Sequence, residues 1–216
     1  MGIINANIEE KIFVWTPPKT GSTRASSILS KLGFNSYETT SDGLTFRSSF
    51  EHTHECSFFK NHEYYKLLLT VRNPYEQIVS YFKASNIDNF DEYYKNGTKL
   101  PKSVKFTKEN FEKYLHILVN YEITKMGEIT FDKIYPDYIV RMENMYQDYL
   151  EIPFVTKTEY YQSGELYKDC NIKMNESKYE DFDFRELYDQ NLADLVYYNF
   201  ANFFDFGQYS KNSWKK

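Results

Sequence analysis

The chain has 216 residues, in which 26 lysines and arginines stand against 31 aspartates and glutamates, for a formal net charge of −5. This acidic balance argues against a general nucleic-acid binder, because a phosphate backbone favours a basic protein face. No run of about 18 apolar residues occurs, and the start carries no basic leader, so we expect no membrane partner and a cytoplasmic location. The length suits one α/β domain over residues 1–216, of undefined oligomeric state.

The first predicted elements are a strand, a turn and a helix in residues 11–29, KIFVWTPPKTGSTRASSIL. Residues 12–15 are apolar and predict a buried strand, and Gly21 suits a tight turn after it. Ser22 or Thr23 can then cap a helix. The apolar residues of that helix recur at helical spacing and are Ala25, Ile28, Leu29 and Leu32.

A turn of this kind can bind an anion. Its free backbone N–H groups and the positive end of the helix point at one spot, where a phosphate or sulfate fits, and Lys19 and Arg24 add positive charge. A nucleoside-triphosphate P-loop places its lysine after the last glycine, whereas Lys19 precedes Gly21, which disfavours a magnesium-dependent kinase. A well-capped turn that binds nothing stays open as the alternative.

A second strand and helix are predicted in residues 66–82, KLLLTVRNPYEQIVSYF. The apolar run 67–71 predicts a strand, Arg72 follows at its carboxyl end, and Ser80 lies about two turns into the next helix. Ligands of open α/β sheets bind beyond the carboxyl ends of the strands. We therefore expect Arg72 and the turn around Lys19 to face the same ligand, although Arg72 alone also suits an ordinary surface position.

Together, the segments TPPKTGSTRASSIL and VRNPYEQIVSYF resemble the two nucleotide-binding signatures of sulfotransferases that use 3′-phosphoadenosine 5′-phosphosulfate (PAPS). The resemblance implies a P-loop-like nucleotide-binding core and a three-layer sandwich. It implies that Arg72 and Ser80 bind the 3′-phosphate of the nucleotide. The residues that it assigns to the 5′-phosphosulfate are Lys19, Thr20, Gly21, Ser22, Thr23 and Arg24.

The resemblance also implies catalytic residues. Lys19 would stabilise the bridging oxygen, and His52 or His54 would be the general base, since histidine titrates near neutral pH. The segment FEHTHE, residues 50–55, is similar to the Phe-Tyr-His-Gly-His segment of uronyl 2-O-sulfotransferases, although two of its residues depart from that motif. Glu51 and Glu55 stay open as orienting groups or as the base. A solvated loop or a zinc site are the other interpretations of this segment.

The remaining pattern continues the alternation of strands and helices. Helices are predicted from Lys108 and from Phe184, where the second is long, and a strand is predicted near Tyr138. Residues 137–150 resemble a later block of the same family, in which a strand ends in an arginine or in Glu-Asn and leads into a short acidic helix. The alternation predicts a central parallel sheet flanked by helices.

The sequence therefore predicts a sulfotransferase that uses PAPS without a metal and releases 3′-phosphoadenosine 5′-phosphate (PAP). The expected acceptor is a hydroxyl-bearing small molecule or glycan, with the carbohydrate favoured by the histidine segment alone. Two alternatives stay open. One is a nucleotide-binding homologue without catalytic activity, and the other is a small-molecule kinase of the P-loop class.

Overall fold

The computed structural model describes residues 3–7, 9–17, 20–36, 65–85, 107–120, 135–172 and 183–215. The chain packs as two compact units. Unit 1 comprises Met1–Arg72 and Ile129–Lys178, and unit 2 comprises Asn73–Glu128 and Tyr179–Lys216. Two units of this kind can make up one domain, so the single domain over residues 1–216 stays a prediction.

Strands within the described residues all belong to unit 1. They are β1 (Ile3–Asn7), β2 (Ile12–Thr16), β3 (Asn35–Ser36), β4 (Lys66–Val71) and β5 (Tyr138–Arg141). The helices of the same unit are α1 (Ser22–Lys31), α4 (Met145–Leu150), α5 (Glu159–Gln162) and α6 (Glu165–Asn171). Short 3-10 turns cover Met142–Asn144 and Val155–Lys157.

Unit 2 is helical in its described part. It contains α2 (Pro74–Ser85), α3 (Lys108–Asn120), a 3-10 turn (Phe184–Leu187), α7 (Gln190–Asn199) and α8 (Ala201–Gly207). The long helix predicted from Phe184 is wrong as a single element. It is a 3-10 turn followed by two helices that are separated at Phe200, whose φ of −125° and ψ of 25° interrupt the helical backbone.

The strands form one mixed sheet in the order β3-β1-β2-β4-β5. Strands β2, β4 and β5 run parallel, with Val14 opposite Leu68 and Leu68 opposite Tyr138. The α/β class is therefore confirmed. The sheet is not parallel throughout, because β1 pairs antiparallel with both β2 and β3.

The sequence did not predict β1, which contains two asparagines, a residue type that is depleted in strands. Both are buried in the fold. Asn7 accepts a hydrogen bond from the Glu10 backbone N–H at 3.0 Å, which closes the turn into β2. Its side chain also donates to the Leu32 carbonyl at 3.2 Å, at the end of α1. Contacts distant in sequence thus place this strand.

The core of unit 1 lies between the sheet and α1. Ile12, Val14 and Leu68 share one face of the sheet and belong to one apolar cluster with Ile28 and Leu29 of α1. The alternate residues of β2 and β4 are buried as well, among them Phe13, Leu67, Leu69 and Val71. Both faces of these central strands are therefore buried, as is typical of parallel strands with near-continuous apolar sequences.

The core of unit 2 is rich in aromatic rings. Tyr75 of α2 lies 5.1 Å from Tyr188 and 5.0 Å from Phe204 between ring centroids, in edge-to-face geometry. The Tyr75 hydroxyl donates to the Lys211 carbonyl at 2.7 Å, so the segment after α8 is bound to α2. Among the described helices, none combines the length and the apolar character that a membrane crossing requires.

Candidate anion-binding site

The parallel strands β2, β4 and β5 bring their carboxyl ends to one edge of the sheet, and α1 begins there. Gly21 precedes the helix with φ 73° and ψ 32°, the left-handed conformation that glycine adopts without steric cost. The Ala25 N–H donates to the Gly21 carbonyl at 2.9 Å and starts the helix. No side chain accepts a hydrogen bond at this cap, and the first turn contains no acidic residue. The positive end of α1 therefore has no counter-charge of its own.

The described residues between β2 and α1 are Pro17, Thr20 and Gly21, which we call the 17–21 turn. Two threonines connect it to β4. Thr20 Oγ1 lies 2.6 Å from the Pro17 carbonyl oxygen and 3.1 Å from Thr70 Oγ1. Both threonine side chains are fully buried. The resemblance assigns Thr20 to the nucleotide, and its hydroxyl is instead bound within the protein. Thr70 was not predicted as a site residue, and its only sequence signal is a polar residue within the apolar run LLLTV.

Gly21 also lies against the residue that follows β5. A Cβ atom built on Gly21 would overlap Sδ and Cε of Met142. Thr20 and Gly21 thus lie at the carboxyl ends of β4 and β5, and a side chain at Gly21 would have to displace the flexible end of the Met142 side chain. Glycine suits this position chiefly because of its left-handed backbone conformation.

Arg24 lies on the first turn of α1 and is half-buried. One terminal guanidinium nitrogen donates to the Cys170 carbonyl at 3.4 Å, and its Nε is buried without a hydrogen-bond partner in the described part of the chain. Burial raises the pKa of the Cys170 thiol to about 12, so that thiol is neutral at pH 7. Arg24 therefore keeps a positive charge near the start of α1 that the adjacent cysteine does not compensate.

Two further polar residues lie at the same edge. Arg72 follows β4 directly and is half-buried. Thr16 ends β2, is fully buried, and its Oγ1 finds no hydrogen-bond partner among the described residues. By strand alternation Thr16 shares the sheet face of Ile12 and Val14, which pack toward α1. A buried hydroxyl without a partner is costly, and such groups occur where a ligand or water completes the bonding.

β5 ends in an ion pair that the sequence did not predict. The Arg141 Nε and a terminal nitrogen bind the Asp148 carboxylate at 2.9 and 2.5 Å, in bidentate geometry. The same carboxylate accepts from the Arg141 backbone N–H at 2.7 Å and from the Asn144 side chain at 2.7 Å. The strand that ends in arginine and the short helix after it agree with the predicted pattern. The positive charge of Arg141, however, is paired with the Asp148 carboxylate within the fold.

Several predicted site residues lie outside the described residues. They are Lys19, Glu51, His52, His54 and Glu55, and the side chain of Ser22 belongs with them. Thr23 is exposed on the first turn of α1, and Ser80 is half-buried in α2 of unit 2. In the described part of the chain, no group of three or more histidine, cysteine, aspartate or glutamate side chains is arranged to bind a metal ion.

Comparison of the chain with models of known protein families, with curated proteins and with solved structures gives no match. The functional argument therefore depends on the two motifs and on the geometry of the site.

Proposed function

We propose that this protein is a sulfotransferase that transfers a sulfuryl group from PAPS to an acceptor hydroxyl, on a carbohydrate or another hydroxyl-bearing molecule. The observation that carries the proposal is the start of α1. It follows a parallel strand, it has no side-chain cap, and its first turn has no acidic residue. Backbone N–H groups in this arrangement bind phosphate or sulfate oxygens.

The helix end alone is a weak anion site, because it stabilises a negative charge near a surface by only about 0.3–1 kcal/mol. Nearby cations add the remaining attraction, since hydrogen bonds to charged groups contribute about 1.5–3 kcal/mol each. Arg24 and Arg72 are the described candidates, and Lys19 is the candidate given by the motif. The unpartnered Oγ1 of Thr16 and Nε of Arg24 support a ligand at this edge of the sheet.

The two motifs together indicate which anion binds. It is a nucleotide that carries phosphate groups at both the 3′ and the 5′ positions of its ribose. In this proposal the 17–21 turn and α1 bind the 5′-phosphosulfate, and Arg72 binds the 3′-phosphate with Ser80. When bound, PAPS supplies an activated sulfuryl group and leaves as PAP. Lys19 stabilises the negative charge on the leaving oxygen, and His52 or His54 accepts the proton of the acceptor hydroxyl.

The finer description of the fold belongs to the same proposal. A strand, a tight turn and a helix followed by an adjacent parallel strand are the parts of a P-loop-like core, and β2, α1 and β4 supply them. Burial of β2 and β4 on both faces supports the three-layer sandwich.

Isothermal titration calorimetry with PAP tests the proposal. We expect the wild-type protein to bind PAP, and Lys19→Ala and Arg72→Ala each to weaken binding by roughly 10- to 100-fold, from the lost charged hydrogen bonds. Lys168→Ala and Arg185→Ala are matched controls, because they remove the same charges from exposed and half-exposed positions elsewhere. The controls should bind PAP like the wild type.

Failure of the wild type to bind PAP contradicts the proposal, and magnesium-dependent binding of ATP in its place favours the kinase. Where PAP binds, transfer of radiolabelled sulfate to glycans, phenols and alcohols distinguishes an enzyme from a binding protein. In that assay we expect either His52→Ala or His54→Ala to abolish turnover while PAP affinity is retained.

A further inference from the structure

We infer that Thr70 is a positioning residue, whose hydroxyl donates to Thr20 and thereby fixes the turn that binds the 5′-phosphate. The inference rests on the proposed function. Nothing in the two motifs assigns a role to Thr70, which lies on β4 two residues before Arg72.

The direction of the hydrogen bonds follows from the number of protons. A threonine hydroxyl carries one proton, and a carbonyl oxygen only accepts. Thr20 Oγ1 lies 2.6 Å from the Pro17 carbonyl oxygen, so the Thr20 proton is used there. In the 3.1 Å contact between the two hydroxyls, the proton therefore comes from Thr70. We call this chain of two bonds, from Thr70 through Thr20 to Pro17, the threonine brace.

The brace is inaccessible to solvent, because both threonine side chains are fully buried. Water cannot easily replace a lost hydroxyl in such a place, and an acceptor left without its donor favours a shift of the backbone. The brace also joins two residues of the turn itself, since Thr20 donates to the Pro17 carbonyl. Its loss should therefore act on the 17–21 turn before it acts on the rest of the sheet.

The second contact of the turn lies on the β5 side, where Gly21 touches Met142. The turn is thus held at two points, by a directional hydrogen bond to β4 and by close packing after β5. Of these two contacts, only the hydrogen bond to Thr70 is directional, so it alone fixes the orientation of the turn. Because a misplacement of about 1 Å at a binding group can cost roughly 100-fold, the brace determines whether the α1 amides meet the 5′-phosphate.

β4 contains Thr70, the donor of the brace, and Arg72 follows this strand directly. The same strand therefore positions the 17–21 turn and the cation that the proposed function assigns to the 3′-phosphate. We expect β4 to determine the distance between the two phosphate sites.

Two substitutions test the inference. Thr70→Val removes the hydroxyl at nearly constant volume, and Thr70→Ser retains it. Hydrogen exchange of the Thr20 and Ala25 amides, which donate to the Pro17 and Gly21 carbonyls, reports on the turn directly when it is measured without nucleotide. We expect Thr70→Val to raise their exchange by about tenfold, as one lost buried hydrogen bond implies, and Thr70→Ser to stay close to the wild type.

Nucleotide affinity gives the second measurement. Thr70→Val should weaken binding of PAP and of adenosine 5′-phosphosulfate, which lacks the 3′-phosphate, by the same factor of about ten. Arg72→Ala should weaken only PAP. A general loss of stability would leave the affinity of the folded protein unchanged, so the paired result separates positioning from destabilisation.

The outcomes are distinguishable from those of the proposed function. If the wild type binds neither nucleotide, the proposed function fails, and the exchange measurement still judges the brace. Unchanged exchange in Thr70→Val, or a Thr70→Ser variant as impaired as Thr70→Val, overturns the inference. Should Thr70→Val not fold, Thr20→Val removes the same bond from the other side and is judged by the same two measurements.

Discussion

Among the described residues, α1 follows the parallel strand β2 and α2 follows the parallel strand β4, and the first turns of these two helices differ. At the start of α2, the Asn73 side chain accepts from the Tyr75 N–H at 3.1 Å. Pro74 has no N–H to satisfy, and Glu76 supplies a negative charge in the first turn. At the start of α1, Gly21 provides no side-chain cap and the first turn has no acid. α2 satisfies its own positive end, whereas the positive end of α1 has no such partner of its own and, in the proposed function, binds the ligand.

The start of α7 resembles that of α2. Asp189 accepts from the Leu192 N–H at 3.0 Å. The ion pair with Lys108 and this N–H hold the pKa of Asp189 below its usual value, so a carboxylate already occupies the place of an anion. The two motifs therefore differ in what they present to the proposed ligand. The first presents a helix end, whereas the second presents side chains, those of Arg72 and Ser80.

The largest effect is expected from Gly21→Ala. The added Cβ meets Met142, and the left-handed backbone is strained for any residue with a side chain. We expect loss of detectable PAP binding in calorimetry, together with about 1–3 kcal/mol of lost stability in urea unfolding.

Gly164→Ala is the matched control. Gly164 precedes α6 in the same left-handed conformation, with φ 76°, and a Cβ built there meets nothing within 4 Å. It should lose about 1 kcal/mol of stability from backbone strain alone and bind PAP like the wild type. Equal PAP binding by the two variants would contradict the account of the turn.

An intermediate effect is expected when α1 is made to resemble α2. Thr23 is exposed on the first turn of α1, and Thr23→Glu places there the charge that α2 has in Glu76. The helix should gain about 0.3–1 kcal/mol in the free energy of unfolding. PAP should bind roughly tenfold more weakly, since the new carboxylate repels the 5′-phosphate.

Thr23→Gln controls for the size of the new side chain and should change PAP affinity little. If Thr23→Glu binds PAP as tightly as Thr23→Gln, the anion does not lie at the start of α1.

The smallest effect on binding is expected from Asn73→Ala, which removes the cap of α2. Loss of such a cap costs about 1 kcal/mol of stability, measurable by urea unfolding. PAP affinity should stay near that of the wild type, because α2 offers no helix end to the ligand. Asn73→Ser keeps an acceptor and should recover most of the stability. If Asn73→Ala weakened PAP binding more than Thr23→Glu does, the result would contradict the difference drawn between the starts of α1 and α2.

Much of the fold could be predicted from local pattern. The apolar runs near Ile12 and Leu67 became neighbouring parallel strands, and a helix follows each of them within the predicted segment, from Ser22 and from Pro74. Pattern did not predict β1, because asparagine is depleted in strands and the hydrogen bond from Asn7 to Leu32, at the end of α1, joins residues far apart in sequence. The order of strands in the sheet has no local signal either.

The candidate site, like the fold, was predicted from the sequence only in part. The tight turn at Gly21 and the position of Arg72 after β4 follow from the motifs. The predicted side-chain cap at Ser22 or Thr23 is wrong, because α1 already begins at Ser22 and Gly21 holds the N-cap position. The bond between Thr20 and Thr70 joins residues 50 positions apart, and the pair of Arg141 with Asp148 depends on how the chain turns after β5. Such contacts exist only once β2, β4 and β5 lie side by side, so the sequence alone could not predict them.

The central claim is that the start of α1 binds the 5′-phosphate of the nucleotide. Backbone amide chemical shifts, followed by NMR during titration with PAP, test this claim most directly. The account predicts that the amides of Ser22, Thr23 and Arg24 shift most and saturate together, while those of Leu192 and its neighbours at the start of α7 stay in place. Saturable binding of PAP that leaves the three α1 amides unshifted would contradict it.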